Sequence, residues 1–186
     1  MNKQDREKAN LVFEALTKKL PGSYVEDGPA IAKVSTVGAG MAFKVGTAGK
    51  IFRALADQNI NIEMIATSEI KVSCVIEINN IPKAIRYVAE KFKLSDTQIF
   101  VNPINIRQDQ PEVRGIALDK NQVQVSFRKL PDRPGVAASI CLALAENNLL
   151  IDTIVQSERI SSLKTKDISL TMNKHCLLYT SDAADE

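Results

Sequence analysis

The chain has no tryptophan, one histidine and three cysteines, and each scarcity removes a class of chemistry. His175 has no carboxylate or thiolate pattern around it beyond Cys176, so neither a histidine general base nor a metal constellation is supported. Cys74, Cys141 and Cys176 are odd in number and far apart, which suits neither a disulfide framework nor paired zinc spacing. Cys74 runs in phase with Ile70, Val72 and Ile76, and Cys141 lies beside Ile140 and near Leu144, so both read as small core hydrophobes. No apolar run approaches the roughly 20 residues that span a bilayer, and the polar start Met1-Asn2-Lys3-Gln4-Asp5 is no signal peptide, so a cytoplasmic location is expected. With 24 basic against 22 acidic side chains, no clustered charge calls for a nucleic-acid partner.

What the sequence does have is a repeat. Across 186 residues, 45% of them hydrophobic, residues 46–59 match residues 135–148 at a constant offset of 89. Gly46 lies over Gly135, Leu55 over Leu144 and Asn59 over Asn148, and the match continues through Ile62 over Ile151 to Ser68 over Ser157. This period is too long for a solenoid and suits a tandem small domain.

Each copy reads as strand, helix, strand, strand. Residues 122–127 alternate polar and apolar, with residues 34–37 as their counterpart. Ala48, Ile51, Phe52 and Leu55 form a helical stripe, repeated by Ala137, Ile140, Cys141 and Leu144. Residues 60–64 and 69–77 read as two further strands joined by residues 66–68. Asn80 and Pro82 open a second helix with Ala84, Ile85, Val88, Ala89 and Phe92 on one face, and residues 98–101 close the unit as a strand. The expected class is α+β, with tandem ferredoxin-like β-α-β-β-α-β domains.

The expected boundaries are a preceding unit's second helix and linker at 1–27, a complete unit at 28–103, a linker at 104–111 and a truncated unit at 112–175. In the first, residues 6–20 form an amphipathic helix with Ala9, Val12, Phe13, Leu16 and Leu20 on one face, stopped by Pro21-Gly22. The last has a strand at 167–172 but lacks the helix and strand that should follow. Residues 176–186 carry neither period and resemble translated sequencing adapter, so the natural chain is expected to diverge at about His175.

Leu130-Pro131-Asp132-Arg133-Pro134-Gly135 runs into a helix start, where free N–H groups and the helix dipole favour a carboxylate. An amino acid's ammonium would then need an anionic or carbonyl partner, which Asp132, Asp152 and Gln156 could supply. The plainer alternative is a turn in which Asp132 caps the helix and Pro134 and Gly135 shape it. Gly38-Ala39-Gly40 with Glu63 imitates a dinucleotide fingerprint, but the third glycine position holds Phe43 and the other copy has Leu130-Pro131 there. The glycines fit close backbone approach better than pyrophosphate binding.

Two stretches carry a family resemblance. Val34-Ser35-Thr36-Val37-Gly38-Ala39-Gly40-Met41, with residues 59–73 ending in Thr67-Ser68-Glu69-Ile70-Lys71-Val72-Ser73, is one; residues 125–157 with Pro131-Asp132-Arg133-Pro134-Gly135-Val136-Ala137-Ala138 is the other. The chain resembles the C-terminal ACT regulatory domains of aspartate kinase, the first stretch like that enzyme's second ACT domain and the other like its first, in the order of a four-ACT form. The resemblance implies binding of lysine or threonine, feedback on an attached kinase catalytic domain, pairing into a homodimer, and neither cofactor nor catalytic residues in this segment. It also implies an effector site at Asp132, Arg133, Pro134, Gly135, Val136, Ala137, Asp152 and Gln156, with Asn61 and Ile62 of the facing domain closing it. A dimerisation scaffold without its own effector site and a free-standing sensor subunit are the other readings.

Overall fold

The computed structural model describes residues 3–25, 28–68, 70–95, 99, 118–159 and 165–174. Two compact units divide the chain, Met1–Ala30 and Ile31–Glu186. The first contains helix α1, Lys3–Lys19, whose last turn carries Lys18 and Lys19 where cations complement the helix dipole. It ends in a turn in which Ser23 donates back to the Leu20 carbonyl and Gly22 takes a left-handed φ of 84°. The expected stripe is formed, but Val12, Phe13, Leu16 and Leu20 remain exposed.

The second unit begins with β1 (Ile31–Val37), a short 3-10 turn (Ala39–Phe43), α2 (Thr47–Ala56), β2 (Met64–Ser68) and β3 (Lys71–Glu77). A second 3-10 turn (Ile78–Asn80) leads to α3 (Ile81–Phe92). The repeat supplies β4 (Gln122–Pro131), α4 (Val136–Glu146), β5 (Ile151–Arg159) and β6 (Thr165–Asn173). All these strands share one sheet in the order β1-β3-β2-β5-β6-β4, every neighbour antiparallel. Each copy contributes three strands in the same internal order, and the copies meet where β2 lies beside β5. β3 lies between β1 and β2 and pairs with both, so the strands flanking α2 are not the hydrogen-bonded neighbours of a dinucleotide-binding β-α-β unit.

Period-two alternation explains the layering. Ile65, Val72, Cys74 and Ile76 point to the helices in one copy, as Ile154, Ile168 and Leu170 do in the other, and all join Ile51, Phe52, Leu55, Ala138 and Cys141 in one continuous core. Each fully buried large aliphatic contributes about 1.5–3 kcal/mol. Ser35 and Ser73 are hydrogen-bonded across β1 and β3 at 2.9 Å, and Ser126 and Ser169 repeat the pair across β4 and β6. Cys74 and Cys141 are core residues as expected, and burial pushes each thiol up to about 12.

The helices repeat the symmetry of the sheet. α2 packs beside α4, with Gly46 facing Ala145 and Gly135 facing Ala56, pairs related by the sequence repeat. At Gly49 a Cβ would stand 3.0 Å from Leu142 Cδ2 and 3.2 Å from its backbone nitrogen, so a side chain there would require Leu142 to give way.

Three expectations need correction or restriction. The strand expected at 60–64 starts instead at Met64 and runs through residues 66–68, which had been read as a connection. Ile60 and Ile62 are buried, but the Ile60 N–H bonds the Leu55 carbonyl beyond α2, and their alternation imitates a strand. Asn80 occupies the N-cap of α3 but makes no side-chain capping bond, because its backbone is already helical after the 3-10 turn. The closing strand at 98–101, except Ile99, the linker at 104–111, His175 and residues 176–186 lie outside the described residues.

Replacing Gly49 with valine should lower unfolding stability by about 1–3 kcal/mol through overpacking against Leu142, measured by urea denaturation. Cys74 and Cys141 should stay unlabelled by an aromatic disulfide reagent at pH 8 and react only on denaturation, checked by peptide mapping.

Candidate functional site

The loop between β4 and α4 is aimed by an irregularity in the strand. The β4–β6 register shifts between Phe127 and Leu130, where Lys129 adopts a left-handed φ of 56°. The buried Asp167 carboxylate holds that bulge, accepting the Lys129 backbone N–H at 2.9 Å and the Arg128 guanidinium at 3.0 Å. The chain then turns through Asp132 and Arg133 to Gly135, whose φ of 94° favours glycine, and enters α4. Gly135, at the N-cap, has no side chain with which to cap that helix, and residues 135–138 of its first turn line the cleft beside it. Asp132 is therefore not the cap that a plain turn would make of it.

Asp132 instead faces the other copy. Its Oδ1 accepts from Asn61 Nδ2 at 2.9 Å and pairs with Lys166 Nζ at 2.9 Å. Lys166 Nζ also donates to Glu63 Oε2 at 2.9 Å and to the Ile62 carbonyl at 3.1 Å. Gln156 Nε2 donates to the Ile62 and Glu63 carbonyls at 2.9 and 3.1 Å. The result is a polar knot across the β2–β5 seam, with the Lys166 side chain only 5% exposed. Its walls include Phe52, Ile60, Pro134, Val136, Ala137 and Ile168. The remaining space is about 30 Å³, room for a water or two and far less than an amino acid.

The expected site residues separate into two groups. Asn61, Ile62, Asp132, Arg133, Pro134, Gly135, Val136, Ala137 and Gln156 converge on this cleft. Asp152 does not. It lines a second cleft of about 270 Å³ with Lys44, Gly46, Thr47, Thr67 and Gln122, where the repeat places the counterparts of the first. Four residues of strand separate Asp152 from Gln156, roughly 13 Å, so they reach opposite ends of the seam. In the second cleft Gln122 Oε1 is buried without a hydrogen-bond partner among the described residues.

Lys166 is the residue that sequence reasoning missed. It stands in phase with Ile168, Leu170 and Met172 on the covered face of β6, and a lysine in that phase was the available signal. Glu63 was read only against the nucleotide fingerprint, whereas its carboxylate pairs with Lys166. Among the described residues no group of three histidine, cysteine or acidic side chains could hold a metal ion. No helix there is long and apolar enough to cross a membrane.

Residues 34–92 match the family model described as ACT domain. Residues 34–92 form an ACT domain. The chain is 42% identical over 94 residues to the aspartate kinase of Pseudomonas putida, covering 50% of this chain and 23% of that protein. It is 39% identical over 92 residues to aspartokinase 2 of Bacillus subtilis, covering 50% and 22%. The solved aspartate kinase of Synechocystis aligns over 95% of this chain and 31% of its own length, at 36% identity and a TM-score of 0.80. The chain thus spans under a third of each of these relatives, and its ACT-type architecture is that of the corresponding segment of the Synechocystis enzyme.

Gln156→Ala should leave the Ile62 and Glu63 carbonyls short of a buried donor and lower stability by about 1–3 kcal/mol, measured by chemical denaturation.

Proposed function

We propose that this chain is the effector-sensing part of an aspartate kinase, taking lysine or threonine at the β2–β5 seam and passing the binding event to a kinase catalytic domain in the parent protein. The observation that carries the reading is the meeting of two opposite recognition elements in one cleft. An uncapped N-terminus of α4 suits a carboxylate, and Asp132, Glu63 and the Ile62 carbonyl suit an ammonium. The similarity to aspartate kinases over this segment supports the choice of attached enzyme.

Because the cleft is built from both copies, a ligand within it contacts both and is sensitive to their spacing. Binding that favours one spacing shifts the equilibrium between arrangements of the two domains, and coupling of about 1–3 kcal/mol is typical of such systems. Further pairing of ACT domains into a homodimer, in the cytoplasm, completes the proposal; neither a cofactor nor a catalytic side chain of this segment enters it.

A scaffold role without an effector is favoured by one observation, the Lys166 ammonium already standing among the acceptors. Calorimetry separates the two readings. The full chain titrated with lysine and with threonine at millimolar concentrations should release or absorb heat with at least one of them, and Asp132→Ala should weaken that binding at least tenfold. Absence of heat with both amino acids in the wild-type chain supports the scaffold.

A further inference from the structure

We infer that Lys166 is a built-in occupant of the ammonium position in the seam cleft, and that a free amino acid enters only by displacing it. The inference rests on the proposed sensing role and adds how the site is regulated.

The argument begins with the capacity of an ammonium, which has three N–H donors. Lys166 Nζ has three oxygen partners within hydrogen-bonding distance: Asp132 Oδ1, Glu63 Oε2 and the Ile62 carbonyl. They come from two segments, Asp132 from the β4–α4 loop and the adjacent Ile62 and Glu63 from the facing copy, which is the arrangement a mobile ligand's ammonium would need. The lysine reaches them from β6, a strand fixed on both sides by β4 and β5. Its stem runs on the apolar side of the sheet beside Ile168, so the whole side chain is withdrawn from solvent.

Space gives the same answer independently. This cleft retains about 30 Å³, whereas the cleft in the equivalent position at the other end of the seam holds about 270 Å³. The two are built from repeated elements, and the smaller contains the Lys166 side chain. With Lys166 in place, Asp132 and Glu63 have their charge largely answered, and a second ammonium has neither room nor a free acceptor set. With Lys166 withdrawn, two carboxylates face one another and attract a cation strongly. The side chain thus sets a threshold, because the energy of moving it is deducted from the affinity of any free amino acid.

The test compares wild type with Lys166→Met, which keeps the stem and removes the charge. Calorimetry with lysine and with threonine should show the variant binding at least tenfold more tightly than wild type. Equal or weaker binding by a folded variant, with wild type still binding, overturns the displacement and leaves the sensing role standing. No binding by either protein overturns both. A second measurement needs no variant: in the isotope-labelled wild-type chain, the Lys166 ammonium resonance should be protected from exchange and lose that protection when the amino acid saturates the chain. A resonance unchanged at saturation overturns the inference.

Discussion

The edge-to-edge meeting of β2 and β5 is the constraint on which the second unit depends. In backbone terms it is slight, a single bridge between Ala66 and Val155. Side chains make up the difference. Thr67 Oγ1 accepts the Ile154 N–H at 2.6 Å, and Gln156 reaches in the opposite sense to the Ile62 and Glu63 carbonyls. Above the sheet, α2 and α4 approach closely at Gly49, so the core is shared by both copies. Neither three-stranded half buries its inner edge alone, and joining the halves removes two exposed strand edges at once.

That joint also creates the clefts. A repeated unit paired about an approximate two-fold axis generates each cleft twice, once at either end of the seam. Divergence within the repeat then makes them unequal. At one end Gln156 and Lys166 fill the space with hydrogen bonds and charge; at the other, Thr67 stands where the repeat puts Gln156 and the space stays open. Burying Lys166 costs desolvation that its carboxylate partners must offset, so the arrangement is weak evidence for stability alone. Its specificity is clearer: only a cation satisfies Asp132 and Glu63 together.

Much of this was legible in the residues. The helical stripes from Ala48 to Leu55 and from Ala137 to Leu144, and the alternation in residues 122–127, lead directly to α2, α4 and β4. The loop from Leu130 to Gly135 was identifiable as a helix entrance because proline and glycine fix its turn. Three things were hidden. The alternation of Ile60 and Ile62 belongs to both a strand and a buried connection, and only the hydrogen bond from Ile60 to Leu55 distinguishes them. Asp152 and Gln156 share a strand and a side-chain parity, but periodicity carries no information about distance along a seam. Lys166 was missed for a third reason, since a charged residue next to Asp167 resembles a solvated strand end unless its phase with Ile168 is weighed.

A crystal structure of the chain grown with saturating lysine or threonine addresses the central claim directly. The account predicts the ligand between Asn61-Ile62 and the loop from Pro131 to Ala137, its carboxylate at the first turn of α4 and its ammonium beside Asp132. A ligand seated away from the β2–β5 seam, or halves that no longer share one sheet, would contradict it.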